Sequence, residues 1–473
     1  MASTAPVPGW LRVPDDANAL AAQVWPAGAA RDDDGRVVIA GRDAASLAAE
    51  FGTPLYVVDE DDARARAARI RSAFEAAAAS AGTTLTLYYA GKAFLSGAVV
   101  RWVTEEGLSV DVCTGGELAV ALAAGAEPAR IGFHGNNKSV AEIEAAVSVG
   151  VGAIIIDSEI EIERVADAAA RAGRVQAVRL RVNSGVHAST HEFLATAHED
   201  QKFGVALDRA VELGTRIRSH GALEFLGLHC HIGSQIFDSA GFAESAERLL
   251  AAHAELAGVS PLAELNLGGG FGIAYTSADE PAPIEEIARG ILNAVSDGCR
   301  AHGVPVPKLA FEPGRSIIGP AGVTLYTVGT VKPVPIDGGV RHYVSVDGGM
   351  SDNARTALYG AEYSARIASR VSDADPVLVR VAGKHCESGD IVVDAEYLPG
   401  DIAPGDLLAV PATGAYCWSL ASNYNHVPRP PVVAVRAGRA HVIVRGETVH
   451  DLLARDAGLE ASVTTVAAEG APE

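Results

Sequence analysis

"LTLYYAGKAFLSGAVVRWVTEEGLSVDVC", residues 85–113, begins and ends with a short apolar, β-branched run of the kind that forms buried strands. Similar runs recur along the chain, and Ala-, Glu- and Arg-rich segments with helical spacing lie between them. The first five runs begin 22 to 24 residues apart, about the length of one βα unit. Eight alternating βα units predict a parallel (β/α)8 barrel of the TIM type. The eight runs are LTLYYA at 85, LSVDVC at 108, IGFHG at 131, AIIID at 153, AVRLRV at 177, FLGLHCHIG at 225, LAELNLGGG at 262 and KLAFEPG at 308.

Polar residues follow these runs at the points where the strands end. In a (β/α)8 barrel the carboxyl ends of all strands meet at one rim, which carries the active site. A single polar residue after a strand means little, but a series at one rim predicts a catalytic or binding site there. The series is Lys92, Asp111, His134, Asn136, Asp157, Asn183, His231, Gly268–Gly270 and Glu312.

The texture of the sequence changes after about residue 320, where strand-like runs alternate with Pro and Gly. These runs predict a mostly antiparallel β domain. We therefore divide the chain into an N-terminal extension (1–24), strands contributed to the β domain (25–52), the barrel (53–319), the β domain (320–458) and a tail (459–473). The first 20 or so residues and the tail are expected to be poorly ordered.

Charge and cysteine content indicate which partners and which cellular compartment to expect. The net charge of −21 argues against nucleic acid or an anionic membrane as a partner. Five scattered cysteines without a CxxC pair point to reduced thiols in a cytoplasmic protein. The N-terminus lacks the features of a signal peptide, and no apolar stretch is long enough to span a membrane.

Two stretches at the predicted rim are each compatible with more than one chemical role. Lys92 lies just past an apolar, aromatic strand, where desolvation would make its amine nucleophilic, although a surface lysine in a loop is the simpler reading. In "HCHIGSQ", His229 and His231 face the same way in a regular strand and could bind zinc together with His134 and Asp157. Alternatively, one imidazole stacks on a flat cofactor ring, or one histidine is simply part of the core.

The late strands supply parts for an anionic, aromatic ligand. In "LNLGGGFG", Gly268, Gly269 and Gly270 follow a strand directly and could form a phosphate-binding nest, or only a tight turn. In "FEPGR", Glu312 ends the eighth strand as a carboxylate that needs a cationic or N–H partner. An amine, a ring stacker, a phosphate nest and a carboxylate for a ring nitrogen are together the parts that hold pyridoxal 5'-phosphate.

Ten motifs in a fixed order then resemble those of the fold-type III, alanine-racemase-like, pyridoxal-phosphate-dependent decarboxylases, in particular the members that act on diaminopimelate. The resemblance covers residues 50 to 430 approximately. It implies decarboxylation of meso-2,6-diaminopimelate to L-lysine and CO2, the last step of lysine biosynthesis. The motifs are YYAGKAF, GLSVDVCTGGEL, FHGNNKS, HEDQKFG, GLHCHIGSQ, LGGGFG, EPGRS, DGGMSDNARTALYGA, HCESGD and GAYCWSLASNYN.

The resemblance also implies roles for individual residues. Lys92 would bond the cofactor covalently, His231 would stack on its ring, and Glu312 would keep the ring nitrogen protonated. The remaining cofactor-binding residues would be Ser234, Gly268, Gly269, Gly270, Pro313, Gly314, Arg315 and Tyr416. The substrate-binding residues would be Arg315, Arg355, Tyr359, Glu387 and Tyr416. Small departures from the family pattern are Thr114, Ser184 and Lys384.

Cys386, in "HCESGD", is the second predicted catalytic residue. A proton donor must be protonated before it acts, and a carboxylate such as Glu387 raises a thiol pKa, whereas a nucleophilic cysteine needs a neighbouring cation. Cys386 is therefore interpreted as the acid that protonates the carbanion left by CO2. The resemblance implies that Cys386 and Glu387 reach into the active site of a second subunit, and hence that the protein is a homodimer with shared active sites.

Specificity is predicted from the far end of the substrate. Planar, bidentate arginines suit a distal carboxylate, which Arg315 and Arg355 would bind, and Glu387 would bind the distal ammonium. The alternatives are a related decarboxylase for another amino diacid or a basic amino acid, a racemase on the same fold, a cofactor-free binding module, and a zinc hydrolase. No metal is expected.

Overall fold

The computed structural model describes residues 7–186 and 202–459, and these fold into two compact units. One unit comprises residues up to Ala63, Ala274–Asp279 and the chain from Ile318 onwards. The other comprises Arg64–Ile273 and Glu280–Ile317. The predicted tail from residue 460 and the segment "ASTHEFLATAHED" (188–200) lie outside the described residues.

The chain begins with a small antiparallel sheet of its own, followed by a helix and a longer strand. As predicted, these residues belong to the same compact unit as the β domain, but the three strands of the small sheet pair with one another and not with the larger sheet. Helix α1 begins after Asp43, whose carboxylate accepts a hydrogen bond from the backbone N–H of Ser46. These elements are β1 (Ala29–Arg31), β2 (Val37–Ile39), β3 (Arg42–Asp43), α1 (Ala44–Phe51) and β4 (Leu55–Asp59).

Eight parallel strands of the second unit close into a barrel, which confirms the predicted fold class. Each strand pairs with the next, and the last pairs with the first. Their residues are buried almost without interruption, as in sheets covered on both faces. The barrel strands are β5 (Leu85–Ala90), β6 (Ser109–Val112), β7 (Ile131–Phe133), β8 (Ala153–Ile156), β9 (Gln176–Asn183), β11 (Leu223–His229), β12 (Glu264–Asn266) and β13 (Lys308–Phe311), with the short β10 (Val205–Ala206) beside β9.

Helices follow the strands, and several begin at capping side chains. Ser139 and Glu142 form a reciprocal capping box at the start of α5. Thr114, a departure from the family pattern, caps α4 by accepting from the N–H of Glu117. The helices are α2 (Glu60–Ser80), α3 (Gly97–Glu105), α4 (Gly115–Ala123), α5 (Val140–Val149), α6 (Glu159–Arg171), α7 (Ala210–Ser219), α8 (Ala240–Val259), α9 (Ile284–His302) and α10 (Arg315–Ile318).

The other unit is built on a mostly antiparallel sheet, also as predicted. Strand β14 is its longest member and pairs with three others. The elements are β14 (Gly322–Ile336), β15 (Gly339–Val346), α11 (Arg355–Tyr359), β16 (Arg366–Ile367), β17 (Pro376–Ala382), β18 (Ile391–Pro399), β19 (Leu407–Pro411), β20 (Val432–Arg436), β21 (Arg439–Val444) and α12 (Val449–Leu453).

Two boundaries differ from the prediction. Strand β4, which the sequence assigned to the barrel, pairs with β14 and β20 of the antiparallel sheet. Residues 7–20, expected to be poorly ordered, are packed instead, because Leu11 is buried against Leu378 and Ala395. Among the described helices, none combines the length and apolar composition needed to cross a bilayer.

Candidate active site

Lys92 lies at the carboxyl end of β5, in a single turn of 3-10 helix. The turn is fixed by the hydroxyl of Tyr89, which donates to the carbonyl of Phe94 at 2.6 Å. A Cβ on Gly91 would lie 2.7 Å from the carbonyl oxygen of Asp111, so the backbone at this position is closely packed. The Lys92 side chain is exposed, as in the simpler of the two sequence interpretations, a surface lysine in a loop, and not desolvated as in the other. The amine therefore stands clear of the backbone, where an aldehyde could reach it.

Four titratable side chains converge at the same end of the barrel. Glu312, which follows β13, is the centre of the group. Its Oε1 lies 3.0 Å from His229 Nε2 and 3.4 Å from His134 Nε2, and accepts from Asn266 Nδ2 at 2.8 Å. His134 Nε2 also lies 3.3 Å from Asp111 Oδ1. The three described side chains that could hold a metal ion are His134, His229 and Glu312.

Burial and the neighbouring charges shift the pKa values of these four side chains in different directions. Burial lowers the pKa of His134 and of His229 to about 4, against the opposing charge of Glu312, so both rings are neutral at neutral pH. Burial alone would raise the pKa of Glu312, but the two imidazoles hold it well below its ordinary value. Burial and the nearby Glu312 raise the pKa of Asp111 well above its ordinary value. Glu312 is thus the carboxylate of the group, and Asp111 favours the neutral acid.

The glycine run after β12 packs against the ends of its neighbours. A Cβ on Gly268, Gly269 or Gly270 would lie 2.5, 2.0 or 2.3 Å from a backbone carbonyl oxygen. Gly268 and Gly270 also have φ of +70° and +107°, which favour glycine. The N–H of Gly269 donates to His231 Nδ1 at 3.4 Å, and burial lowers the pKa of His231 well below its ordinary value. A neutral flat ring and a glycine loop therefore lie side by side.

Residues that follow strands β11 and β13 complete this end of the barrel. Arg315 Nη2 donates to the hydroxyl of Ser234 at 2.9 Å. Pro313 and Gly314 are buried, and the carbonyl of Pro313 accepts from the N–H of Ala90 at 3.0 Å. Pro313 thus ties the chain that follows the eighth strand to the first strand through the backbone.

These residues fit pyridoxal phosphate. An exposed amine, a neutral imidazole and a glycine loop beside an arginine and a hydroxyl suit its aldehyde, ring and phosphate. A buried carboxylate flanked by neutral histidines suits a protonated ring nitrogen. The predicted zinc set is only partly assembled, because Asp157 is occupied elsewhere: it accepts from the N–H of Gly204 at 2.8 Å and lies 3.5 Å from Arg181.

The other unit holds a buried arginine at the start of α11. Arg355 is 5% exposed, and its Nη1 donates to the hydroxyl of Tyr363 at 2.6 Å. Its guanidinium carbon lies 4.8 Å from the ring centre of Tyr275. Within the described residues, no carboxylate forms an ion pair with Arg355. A buried, always charged group without a counter-ion is a candidate site for an anion.

The remaining predicted residues of this unit are more accessible. Cys386 and Glu387 are exposed in the loop between β17 and β18, and Tyr359 is 66% exposed at the end of α11. Tyr416 is half-buried and has a φ of +63°, a conformation that is uncommon for non-glycine residues.

Sequence reasoning missed several partners of these residues. Asn266, which immediately precedes the motif LGGGFG, donates a hydrogen bond to Glu312. Tyr363 and Tyr275 surround Arg355, and Asn425 accepts from the backbone N–H of Cys386 at 3.3 Å. The motif "GAYCWSLASNYN" contains Asn425, so its presence among the ten motifs was the available signal.

The fold and these residues define a class of pyridoxal-phosphate enzyme, and comparison with known proteins agrees. Residues 67–319 match the family model described as "Pyridoxal-dependent decarboxylase, pyridoxal binding domain". The chain belongs to this family of pyridoxal-dependent decarboxylases.

The relatives are more specific. The diaminopimelate decarboxylase of Mycobacterium tuberculosis is 54% identical over 443 residues, which cover 92% of this chain and 98% of the relative. A crystal structure of diaminopimelate decarboxylase from M. jannaschii superposes with a TM-score of 0.85 at 31% identity, covering 92% of this chain and 99% of the other. A second structure from that organism, in complex with L-lysine, gives 0.84 at 31% identity, covering 91% and 98%.

Proposed function

We propose that this enzyme decarboxylates meso-2,6-diaminopimelate to L-lysine and CO2 with pyridoxal phosphate as cofactor. The observation that carries the substrate is the buried Arg355, which has no carboxylate partner among the described residues. A substrate with a distal carboxylate supplies the missing anion, whereas ornithine- or arginine-like substrates do not. L-lysine, the product proposed here, is the molecule bound in a solved relative.

The cofactor would be held by the residues at the barrel end. When bound, pyridoxal phosphate supplies an electron sink for the pair left by loss of the α-carboxylate. Lys92 would bond its aldehyde carbon, His231 would cover one face of its ring, and the Glu312 carboxylate would hold the proton on its ring nitrogen. The phosphate would be bound by Ser234 and the N–H groups of Gly268–Gly270. Pro313, Gly314, Arg315 and Tyr416 would complete the site.

The substrate would be positioned by both positively and negatively charged side chains. Arg355 and Arg315 would bind the distal carboxylate, and Glu387 would bind the distal ammonium. Tyr359 and Tyr416 would contact the remaining polar groups. Burial makes the Arg355 interaction the strongest of these, since a guanidinium out of water interacts with a carboxylate with little screening.

Cys386 would donate the proton that completes the reaction. Its S–H bond breaks as a C–H bond forms at the carbon that lost CO2, and solvent returns a proton to the thiolate. Because Cys386 and Glu387 are exposed, they are available to a second copy of the chain. We therefore infer a homodimer with shared active sites. The five cysteines are all free, which agrees with a reducing cytoplasm.

A substrate panel tests the proposal. Protein loaded with pyridoxal phosphate would be offered meso-, LL- and DD-diaminopimelate, ornithine, arginine and D-lysine, and released CO2 would be measured with product identity and chirality. L-lysine from the meso isomer alone is the expected result. CO2 from a basic amino acid instead would assign the enzyme to a related decarboxylase and remove Arg355 and Glu387 from the substrate site.

A further inference from the structure

The proposed donor, Cys386, has a side chain that the protein does not hold directly. Its thiol has no hydrogen-bond partner among the residues that the structure describes, and the side chain is exposed. The direction of the S–H group therefore depends on how the backbone at residue 386 is fixed. The contacts of that backbone decide where the proton can be delivered.

One side chain links Cys386 to its neighbour. Asn425 Oδ1 accepts from the backbone N–H of Cys386 at 3.3 Å and lies 3.2 Å from His385 Nδ1. Since Oδ1 is an acceptor, His385 Nδ1 carries a proton in this contact. In the neutral ring, Nε2 then accepts from the hydroxyl of Ser351 at 2.8 Å. The amide oxygen of Asn425 thus orients both a backbone N–H and an imidazole.

The opposite side of the loop is fixed by a buried carboxylate. Asp390 Oδ2 accepts from the backbone N–H of His385 at 2.7 Å, and Oδ1 accepts from Met350 N–H at 2.6 Å. A Cβ on Gly349 or Gly383 would lie 2.5 or 2.2 Å from this carboxylate. The chain before Cys386 is therefore tightly held, and Asn425 is the contact that fixes residue 386 itself.

Asn425 makes this contact from an unfavourable backbone conformation. Its φ is +51°, in the left-handed region, and the next residue, His426, has a φ of +57°. Asn tolerates this region better than most residues, but two consecutive positions still cost free energy. Such conformations persist where surrounding contacts require them, and they are enriched at functional sites.

We infer that Asn425 is a positioning residue for the proton-donating step: it fixes the backbone of Cys386 so that the thiol delivers its proton to one face of the reacting carbon. This inference rests on the proposed function. Without the amide, the loop would sample other orientations, and solvent would compete with the thiol for the carbanion from either face.

The test follows the face of protonation. Decarboxylation of meso-diaminopimelate in ²H₂O places one deuterium on the new methylene carbon of lysine, and NMR distinguishes its two prochiral positions. The variant is Asn425→Gly, which removes the amide but tolerates a positive φ. The matched control is His426→Gly, which relieves the same backbone strain next to it and keeps the amide. Asn425→Asp keeps the oxygen acceptor.

The wild type and the control are expected to label one position only. Asn425→Gly is expected to label both, with kcat lowered about three- to tenfold, the effect of one lost hydrogen bond, and KM within about twofold. Asn425→Asp should restore most of the single labelling. A merely structural role would lower the folded fraction without mixing the two positions.

Three results would overturn the inference. These are single labelling by a folded Asn425→Gly protein, equal mixing by His426→Gly, and mixing by Asn425→Asp as complete as that of the glycine variant. If Asn425→Gly does not fold, Asn425→Ala removes the same amide without adding the backbone freedom of glycine. Mixed labelling in that variant supports the inference, and single labelling refutes it. Wild-type protein that releases no CO2 would instead refute the proposed function.

Discussion

Replacing Arg355 by methionine separates a binding role from a structural one. Methionine has a similar length and keeps much of the apolar packing against Tyr275, but it removes the charge. Arg355 has no counter-ion among the described residues, so its removal strands no buried carboxylate. The free protein is also relieved of the desolvation cost of an unpaired guanidinium.

The magnitudes differ for binding and for stability. Losing one partner of a buried, hydrogen-bonded charge pair costs about 2–5 kcal/mol, or about 30-fold to a few thousand-fold in kcat/KM. The free energy of unfolding should change by no more than about 2 kcal/mol, because the hydrogen bond to Tyr363 and the cation–π contacts with Tyr275 and Tyr363 are lost while the desolvation cost of the guanidinium is relieved. Activity and stability are therefore expected to move independently.

Arg366→Met is the matched control. The Arg366 guanidinium lies 2.9 Å from Glu396, whose side chain is only 6% exposed, and its loss leaves that buried carboxylate with backbone N–H partners but without its cation. Breaking a buried pair in this way costs about 3–5 kcal/mol of stability. Arg366→Met should therefore be less stable, with kcat/KM for meso-diaminopimelate unchanged while the protein is folded.

The assay is steady-state CO2 release from meso-diaminopimelate, combined with urea unfolding of both variants. An Arg355→Met protein with wild-type kcat/KM would refute the assignment of Arg355 to the substrate. So would an Arg355→Met protein that loses stability as Arg366→Met does, because the arginine would then have a partner that it satisfies in the free protein.

Three further predictions concern the cofactor and the buried acids. Glu312→Gln should lower kcat at least about tenfold with a smaller change in KM, since a neutral amide cannot stabilise a protonated ring nitrogen; an unchanged kcat would exclude that role. Removing the cofactor should lower the melting temperature, and pyridoxal phosphate at about 100 times its Kd should restore about 2.7 kcal/mol of stability, with Lys92→Ala showing a smaller recovery. Burial raises the pKa of Asp352, which accepts from Tyr326, to about 7. The folded state then binds more protons than the unfolded state, so stability should fall as pH rises from about 4 to 7, and unfolding of Asp352→Asn should depend less on pH; equal pH dependence would contradict the shift.

The barrel could be predicted because its signals are local. Each strand is a short apolar run such as LTLYYA, and the helices between them fix the spacing, so eight units are visible without knowing any contact. Strand β4 was misassigned for the opposite reason. Its partners, Gly322–Leu325 and Val432–Val435, lie more than 250 residues away, and a buried strand reads the same in either sheet.

The site was predictable by residue type but not by partner. Glu312 and His231 follow strands, so their presence at the rim was expected. The approach of His134 and His229 to Glu312 was not, because it depends on which side chains of three strands turn inward when the barrel closes. The lack of a counter-ion at Arg355 among the described residues is likewise a property of packing, which no spacing in the sequence encodes.

Glu312 and Arg355 show how the two units treat buried charge in complementary ways. Glu312 lies among Asn266 and two neutral imidazoles, which stabilise its negative charge without supplying a full positive one. Arg355 has a hydroxyl and two aromatic rings around it, and in the part of the chain that the structure describes no carboxylate compensates its positive charge. These contacts allow each charge to be buried in the folded protein, but they do not neutralise it. A ligand with a protonated ring nitrogen would neutralise Glu312, and a ligand with a distal carboxylate would neutralise Arg355. These two residues should therefore contribute more to the free energy of binding than to the free energy of unfolding.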